Sequence, residues 1–360
     1  MKQPLKLIAW SRTGSMHSTR DSHTATVLNN GEVLVTGGFG LMAKKCELYN
    51  PITGNWTKAA DMHAQRIGHT ASLLANGSVL IVGGSPDSGN SIEDTDDASA
   101  ELYNPITNVW SLVHRMYDAR TDHTASILPN GNVLVTGGSN EFDETLSQCE
   151  LYNPSTGKWS KTGSMHFVRQ CHVAITLPDG KVMVIGAWGD IDKAKTTEIY
   201  DPSTGNWTIA ATMNVERYQH TATLLMNGQI LVTGGTRYGP EHFASAELYN
   251  STTNTWTNTT SMNFGRSLHT ATLLKNGQVL VTGGNVGANS SVPNSELYDP
   301  STETWTIIDS MHENRNDHRA SILLNGKVLI TGGEGYWNNV TRTAELYDPT
   351  FSSWAKSEEY

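Results

Sequence analysis

Seven Arg-x-x-His units run through the sequence: Arg20/His23, Arg66/His69, Arg120/His123, Arg169/His172, Arg217/His220, Arg266/His269 and Arg315/His318. Imidazoles in such number can bind a metal or sense pH. Their uniformity argues instead for a framework. Each unit is matched by a Glu in a Glu-Leu-Tyr or Glu-Ile-Tyr tripeptide, from Glu47 to Glu345. Each Arg is therefore expected to pair with a Glu, and each His to hydrogen-bond a backbone or hydroxyl group. Histidines spread around a ring would also lie too far apart for one ion at ligand distances of about 2.1 Å. Cys46, Cys149 and Cys171 have neither the CxxC spacing of a zinc site nor the number needed for a disulfide scaffold. Phosphate-binding glycine loops, Gly-x-Ser-x-Gly and His-Glu-x-x-His are all missing from the sequence. The expectation is a chain without a catalytic residue, metal or cofactor.

Two segments free of Lys and Arg hold most of the acidic excess. Residues 85–100 contain Asp87, Glu93, Asp94, Asp96 and Asp97, and residues 139–149 contain Glu141, Asp143 and Glu144. Once the framework Arg and Glu cancel, these acids account for most of the net charge of -10. An acidic patch attracts a basic partner. A calcium loop would need a Gly and a terminal Glu that the run from Glu93 to Asp97 lacks, and a solvated, solubilising loop is the plainer reading. The negative balance argues against broad contact with a phosphate backbone, so no nucleic-acid partner is expected.

The elements that must position these residues follow from the repeat. The Glu-Leu-Tyr tripeptide returns about every 49 residues. A glycine doublet precedes it, at Gly37, Gly83, Gly137, Gly234, Gly283 and Gly332, with Gly186-Ala187 in the fourth copy. A Trp follows, at Trp56, Trp110, Trp159, Trp207, Trp256, Trp305 and Trp354. Within a copy the hydrophobic period is two. His23-Thr-Ala-Thr-Val-Leu28 alternates, Asn29-Asn30-Gly31 turns, and Val33-Leu-Val-Thr36 leads into the glycines. Two such runs across an Asn-Gly turn read as a hairpin. The Tyr strand, an Asn-Pro or Asp-Pro turn and the Trp strand complete four antiparallel strands, A to D. Arg66, His69, Gly83, Gly84, Glu101, Tyr103 and Trp110 are the structural set of one copy. The glycine pair is expected to accept the Tyr and Trp rings against bare backbone. One such sheet cannot bury both faces, and stacking copies into a closed ring does so. A composition with 33 Gly in 360 residues and only 37% hydrophobic residues suits short strands and many turns.

The glycine pair, the Tyr after Glu-x and the Trp beyond it resemble the kelch motif over nearly the whole chain. The resemblance implies an all-β, seven-bladed kelch β-propeller with four antiparallel strands per blade, similar in blade design to galactose oxidase. Blades are expected at 20–62, 66–116, 120–165, 169–213, 217–262, 266–311 and 315–360. Residues 1–16, with Trp10 and Met16 at the repeat spacing, look like an extra D strand. Trp354 already supplies one to the last blade, and its local hairpin has the smaller loop-closure cost. The expectation is that this hairpin forms and Trp10 packs nearby. Blade four departs from the pattern through Ala187, Trp188 and the strand Cys171-His-Val-Ala-Ile, which reads as drift or as specialisation.

In kelch propellers that bind peptides or sugars, the ligand face is built from B–C loops and D–A turns. By motif position this selects the residues between each Arg and His and those after each glycine pair. The second group includes Phe39, Trp188, Arg237, Tyr238, His242, Phe243, Tyr336 and Trp337. Aromatics on loops can stack on a sugar or seat a peptide side chain, or can simply cap a blade. The resemblance thus implies a non-catalytic binding or scaffold propeller that recognises a protein or glycan ligand, with a bias towards basic ones. The alternative is a carbohydrate-active enzyme of the galactose oxidase or sialic-acid mutarotase kind. The former would need a Cys-linked Tyr, a second Tyr and two His, and His220, beside Tyr218, reads as an ordinary framework residue. No apolar run is long enough for a membrane span and no signal peptide is visible. The sequence leaves the compartment open, with the cytoplasm favoured, and a monomer or part of a larger chain is expected.

Overall fold

A computed structural model describes residues 9–39, 43–86, 98–140, 142–188, 193–237, 241–287, 290–336 and 339–351. Among them are twenty-eight strands, β1 to β28 in chain order, arranged as seven four-stranded antiparallel sheets. The first sheet runs β2 (Thr24–Val27), β3 (Val33–Thr36), β4 (Cys46–Asn50) and β5 (Asn55–Lys58) from the inside outwards. The other innermost strands are β6 (Thr70–Leu73), β10 (Thr124–Ile127), β14 (Val173–Thr176), β18 (Thr221–Leu224), β22 (Thr270–Leu273) and β26 (Arg319–Ile322). Each touches the next, and β26 touches β2, so the blades close a ring. The fold is a seven-bladed all-β propeller.

Ring closure corrects one expectation. The outermost place in the seventh sheet belongs to β1 (Trp10–Arg12), which pairs with β28 (Ala344–Tyr347) through Trp10 opposite Tyr347. Trp354 lies outside the described residues. Trp10 reproduces what the blade tryptophans do. Its ring lies 5.1 Å from that of Tyr347, as Trp56 lies 5.1 Å from Tyr49. Its Nε1 donates to the Asp309 carbonyl at 2.8 Å, as Trp56 donates to Gly14 at 2.8 Å. Loop-closure entropy grows only slowly with length. Joining both chain ends in one sheet ties the ring shut, and that gain outweighs the shorter loop.

The core lies between blades. Leu74, Leu80 and Val82 of blade two pack on Val133, Val135, Tyr152 and Trp159 of blade three, and each seam has its counterpart. The second strand of a blade is buried throughout, as in β7 (Val79–Val82). Burying those four side chains contributes roughly 6–12 kcal/mol before entropy is charged against it.

The glycine pair also works differently from the expectation. The Tyr and Trp rings pair with each other across the third and fourth strands. The glycines admit the next blade. A Cβ on Gly37, at φ +64°, would sit 2.6 Å from the Arg66 carbonyl oxygen and closer still to the His69 ring. Gly38 then donates to that carbonyl at 3.0 Å. Close backbone approach across a seam requires the missing side chains.

The Arg and Glu of each repeat form a buried pair. Arg66 Nη2 donates to Glu101 Oε1 at 3.0 Å, while its Nη1 donates to the carbonyls of Gly83 (2.7 Å) and Ser99 (3.2 Å). Glu101 Oε2 also accepts from the His63 backbone at 2.9 Å. Burial pushes the Glu101 carboxyl up, but the Arg66 charge and the His63 hydrogen bonds outweigh it and hold it below the usual range. One Arg thus joins the glycine turn, the third strand and the incoming connection of each blade.

Candidate recognition face

The B–C loops and the D–A turns emerge on one face. In six blades the residue after the Arg pairs with the residue after the glycine doublet or its Gly-Ala equivalent: Ile67 with Ser85, Thr121 with Ser139, Gln170 with Trp188, Tyr218 with Thr236, Ser267 with Asn285 and Asn316 with Glu334. In the first, Phe39 N–H donates to Asp21 O at 3.0 Å. These short bridges bring both groups of positions selected from the sequence onto the same rim.

Phe39 and Tyr336 are each half exposed there, at 50%, and Trp188 is 39% exposed. Phe142 and Tyr117, which no motif singled out, are more exposed still. Arg237 is engaged. It meets Glu241 at 2.6 Å and Glu216 at 3.5 Å, and stands 5.9 Å over the Phe243 ring. His242 shares a hydrogen bond with Ser267 at 3.0 Å. Tyr238, Trp337, Asp87, Glu93, Asp94, Asp96, Asp97 and Glu141 lie outside the described residues. Of the acidic loops, Asp143 and Glu144 are described. Glu144 is tied to Asn140 through its backbone N–H and its carboxylate, both at 3.0 Å.

The face carries a second acidic group at the mouth of the central channel. The residue before the ring His bonds its counterpart in the preceding blade at four of the seams. Asp122 N–H donates to Gly68 O at 2.9 Å, Cys171 to Asp122 at 3.2 Å, Leu268 to Gln219 at 3.1 Å and Asp317 to Leu268 at 2.9 Å. Most of these positions have a positive φ, near 50° at Ser22, Asp122, Cys171, Gln219, Leu268 and Asp317. This conformation is unfavourable for side chains and is imposed here by the ring. Asp317 accepts from Ser22 Oγ at 2.5 Å across the seam between blades seven and one, and from Arg319 Nη1 at 3.1 Å. Burial, followed by the charges of Asp317 and Glu334, pushes Asp21 up to about 6. Burial and then Asp317 raise Asp122 and Glu334 as well. Four carboxyls from blades one, three and seven thus share one electrostatic neighbourhood, with Arg319 as the cation among them. The motif positions between Arg and His contained the signal. What made it unreadable is separation, since Asp21 and Asp317 meet only when the ring closes.

Among the described residues no group of three or more His, Cys, Asp or Glu is placed to hold a metal ion. Cys46 and Cys149 are buried in the seams, and burial pushes both thiols up to about 12. The opposite face has a shallow cavity of about 500 Å³ lined by Met226, Asn227, Asn276, Gln278, Asp299 and Ser301. No described helix is long and apolar enough to cross a membrane.

The family model described as the KLHDC2/KLHL20/DRC7 Kelch-repeats domain matches residues 68–261, and the Kelch motif matches residues 266–312. No curated protein matches the chain. Among solved structures, a fungal alcohol oxidase of the AA5 family in complex with copper superposes with a TM-score of 0.76 at 17% identity, covering 94% of this chain and 76% of its own. YjhT superposes with a TM-score of 0.62 at 17% identity, covering 81% of this chain and 98% of its own. At that identity the likeness is one of fold. The chain belongs to the kelch-repeat β-propeller family.

Proposed function

We propose that this propeller is a non-catalytic recognition module that binds a protein partner on the face of the B–C loops and D–A turns, with a basic side chain of the partner entering the channel mouth. The observation that supports this most is the grouping of Asp21, Asp122 and Glu334 around Asp317, on a face that exposes Phe39, Trp188 and Tyr336. Aromatics supply contact area at low entropic cost. Carboxyls that repel one another gain most from a cation among them. The acidic loop residues Asp143 and Glu144 lie on the same face and add to the attraction.

A peptide-display selection tests the reading. The wild-type chain should enrich sequences containing Lys or Arg, binding them more weakly as salt rises. An Asp21→Asn/Asp122→Asn/Asp317→Asn variant should lose the enrichment. Trp188→Ala/Tyr336→Ala should weaken binding at a nearly unchanged melting temperature. Selection without basic enrichment, beside specific retention on a glycan array, would replace the protein partner by a glycan. A radical absorption band and peroxide release with sugars from a copper-loaded sample would favour the enzyme alternative.

A further inference from the structure

The seam between blades four and five is built differently from the other six. At each of those six, Nε2 of the ring histidine shares a hydrogen bond with a threonine hydroxyl of the preceding blade. The pairs are His23 with Thr331, His69 with Thr24 and Thr36, His123 with Thr70, His172 with Thr124 and Thr136, His269 with Thr221 and Thr233, and His318 with Thr270, at 2.9–3.2 Å. At the same six, the second glycine of the pair donates its N–H to the Arg carbonyl of the next blade, as Gly235 does to Arg266 at 2.8 Å. Blade four has Val173 and Ile185 where every other blade supplies at least one threonine, and Ala187 in place of the second glycine. His220, read from the sequence as ordinary framework, is the exception. Both its ring nitrogens are buried without a partner. Among the described residues no backbone bond joins Ala187 to Arg217.

The outer half of this seam is tied as elsewhere. Trp256 Nε1 donates to Ala211 O at 3.0 Å, Ala211 N–H to Asn254 Oδ1 at 2.9 Å, and Asn214 N–H to Glu247 Oε2 at 2.7 Å. In the inner half, apart from a long backbone bond from Arg217 N–H to Ala194 O at 3.4 Å, the contact is apolar, with Val173, Ile175 and Ile185 against Ile230 and Val232. Hydrogen bonds fix distance and angle, whereas apolar contact is non-directional. We propose that blades four and five form a joint, hinged at its outer edge, where the inner edge of the ring opens with fewer hydrogen bonds to break than at the other seams. The joint emerges beside Trp188, so its movement changes the width of the recognition face. That consequence rests on the function proposed above, and the joint itself is tested without ligand.

The test is native-state hydrogen exchange on the full chain. Amides of β14 and β18 should exchange at least about tenfold faster than those of β6, β10 and β22. Val173→Thr/Ile185→Thr gives His220 a hydroxyl partner and should remove most of that excess. Thr70→Val takes from His123 its only Nε2 partner and should raise exchange in β6 and β10. Equal rates in all inner strands of the wild type would overturn the proposal. So would an excess at β14 and β18 that survives the restored hydroxyls in a folded double variant. Should the double variant not fold, the wild-type pattern and Thr70→Val decide.

Discussion

Acidification from pH 7 to pH 5 should unfold the propeller, and the ring histidines set the size of the effect. Burial first, and the charge of a neighbouring arginine next, lower all seven, with His69, His172 and His220 at about 3. In the unfolded chain the same imidazoles titrate near 6.5. Only the unfolded state therefore takes up these protons, so the stability is complete above about pH 6.5 and is lost as pH falls towards the folded values. Each histidine costs about 2 kcal/mol between pH 7 and pH 5, and the ring as a whole roughly 13. Asp21 acts in the opposite sense. Its folded pKa of about 6 lies above the ordinary 3.8, so the folded state is protonated first and regains about 1 kcal/mol. A net loss of about 12 kcal/mol is comparable to the whole stability of an ordinary domain. Urea titrations followed by tryptophan fluorescence at pH 7, 6 and 5 measure it, because Trp10, Trp56, Trp110, Trp159, Trp207 and Trp256 are buried. A pH dependence equivalent to about two protons or fewer would refute the reasoning. At lower pH a second loss follows from Glu47, Glu101 and Glu345. Burial raises these carboxyls, but bonds from Arg and His hold them below their usual range. Their contribution is present above about pH 4.5 and disappears as pH falls through the folded values.

Trp10→Ala should destabilise the ring by about 3–5 kcal/mol in urea, because it removes a buried indole and the strand that closes the seventh blade. A loss below about 1 kcal/mol would mean that closure lies elsewhere. Glu101→Gln should cost about 3–5 kcal/mol by thermal melting, since it leaves the buried Arg66 without its counter-charge. His172→Leu breaks bonds to Thr124 and Thr136, whereas His220→Leu breaks none. The first should therefore be the more destabilising by about 1–3 kcal/mol, and equal costs would show that the hydroxyl bonds contribute nothing.

What the sequence discloses here depends on whether the deciding contact is repeated. Blade architecture, strand order and the Arg–Glu pair recur in every copy, so a pattern read seven times specifies them. Closure occurs once. Trp10 and Trp354 offered equivalent side chains for one place, and local loop length was the wrong arbiter because it ignores the faces that a closed ring buries. The role of the glycines was misplaced for a related reason. A doublet next to a Tyr and a Trp suggests contact with them, but the groups that need the empty space, the Arg66 carbonyl and the His69 ring, come from the following copy. The channel mouth lies furthest from what a motif can express. Asp21, Asp122 and Asp317 occupy positions that differ from blade to blade, and each alone reads as a turn residue. A propeller places equivalent positions of all its blades around one axis. The variable residues between Arg and His are therefore the ones the fold brings together, and the invariant ones are those it uses to do so. On that logic the chemistry of a repeat ring lies in departures from its consensus. Here those departures fall in two places: the acids at the axis, and the hydroxyls that blade four has lost.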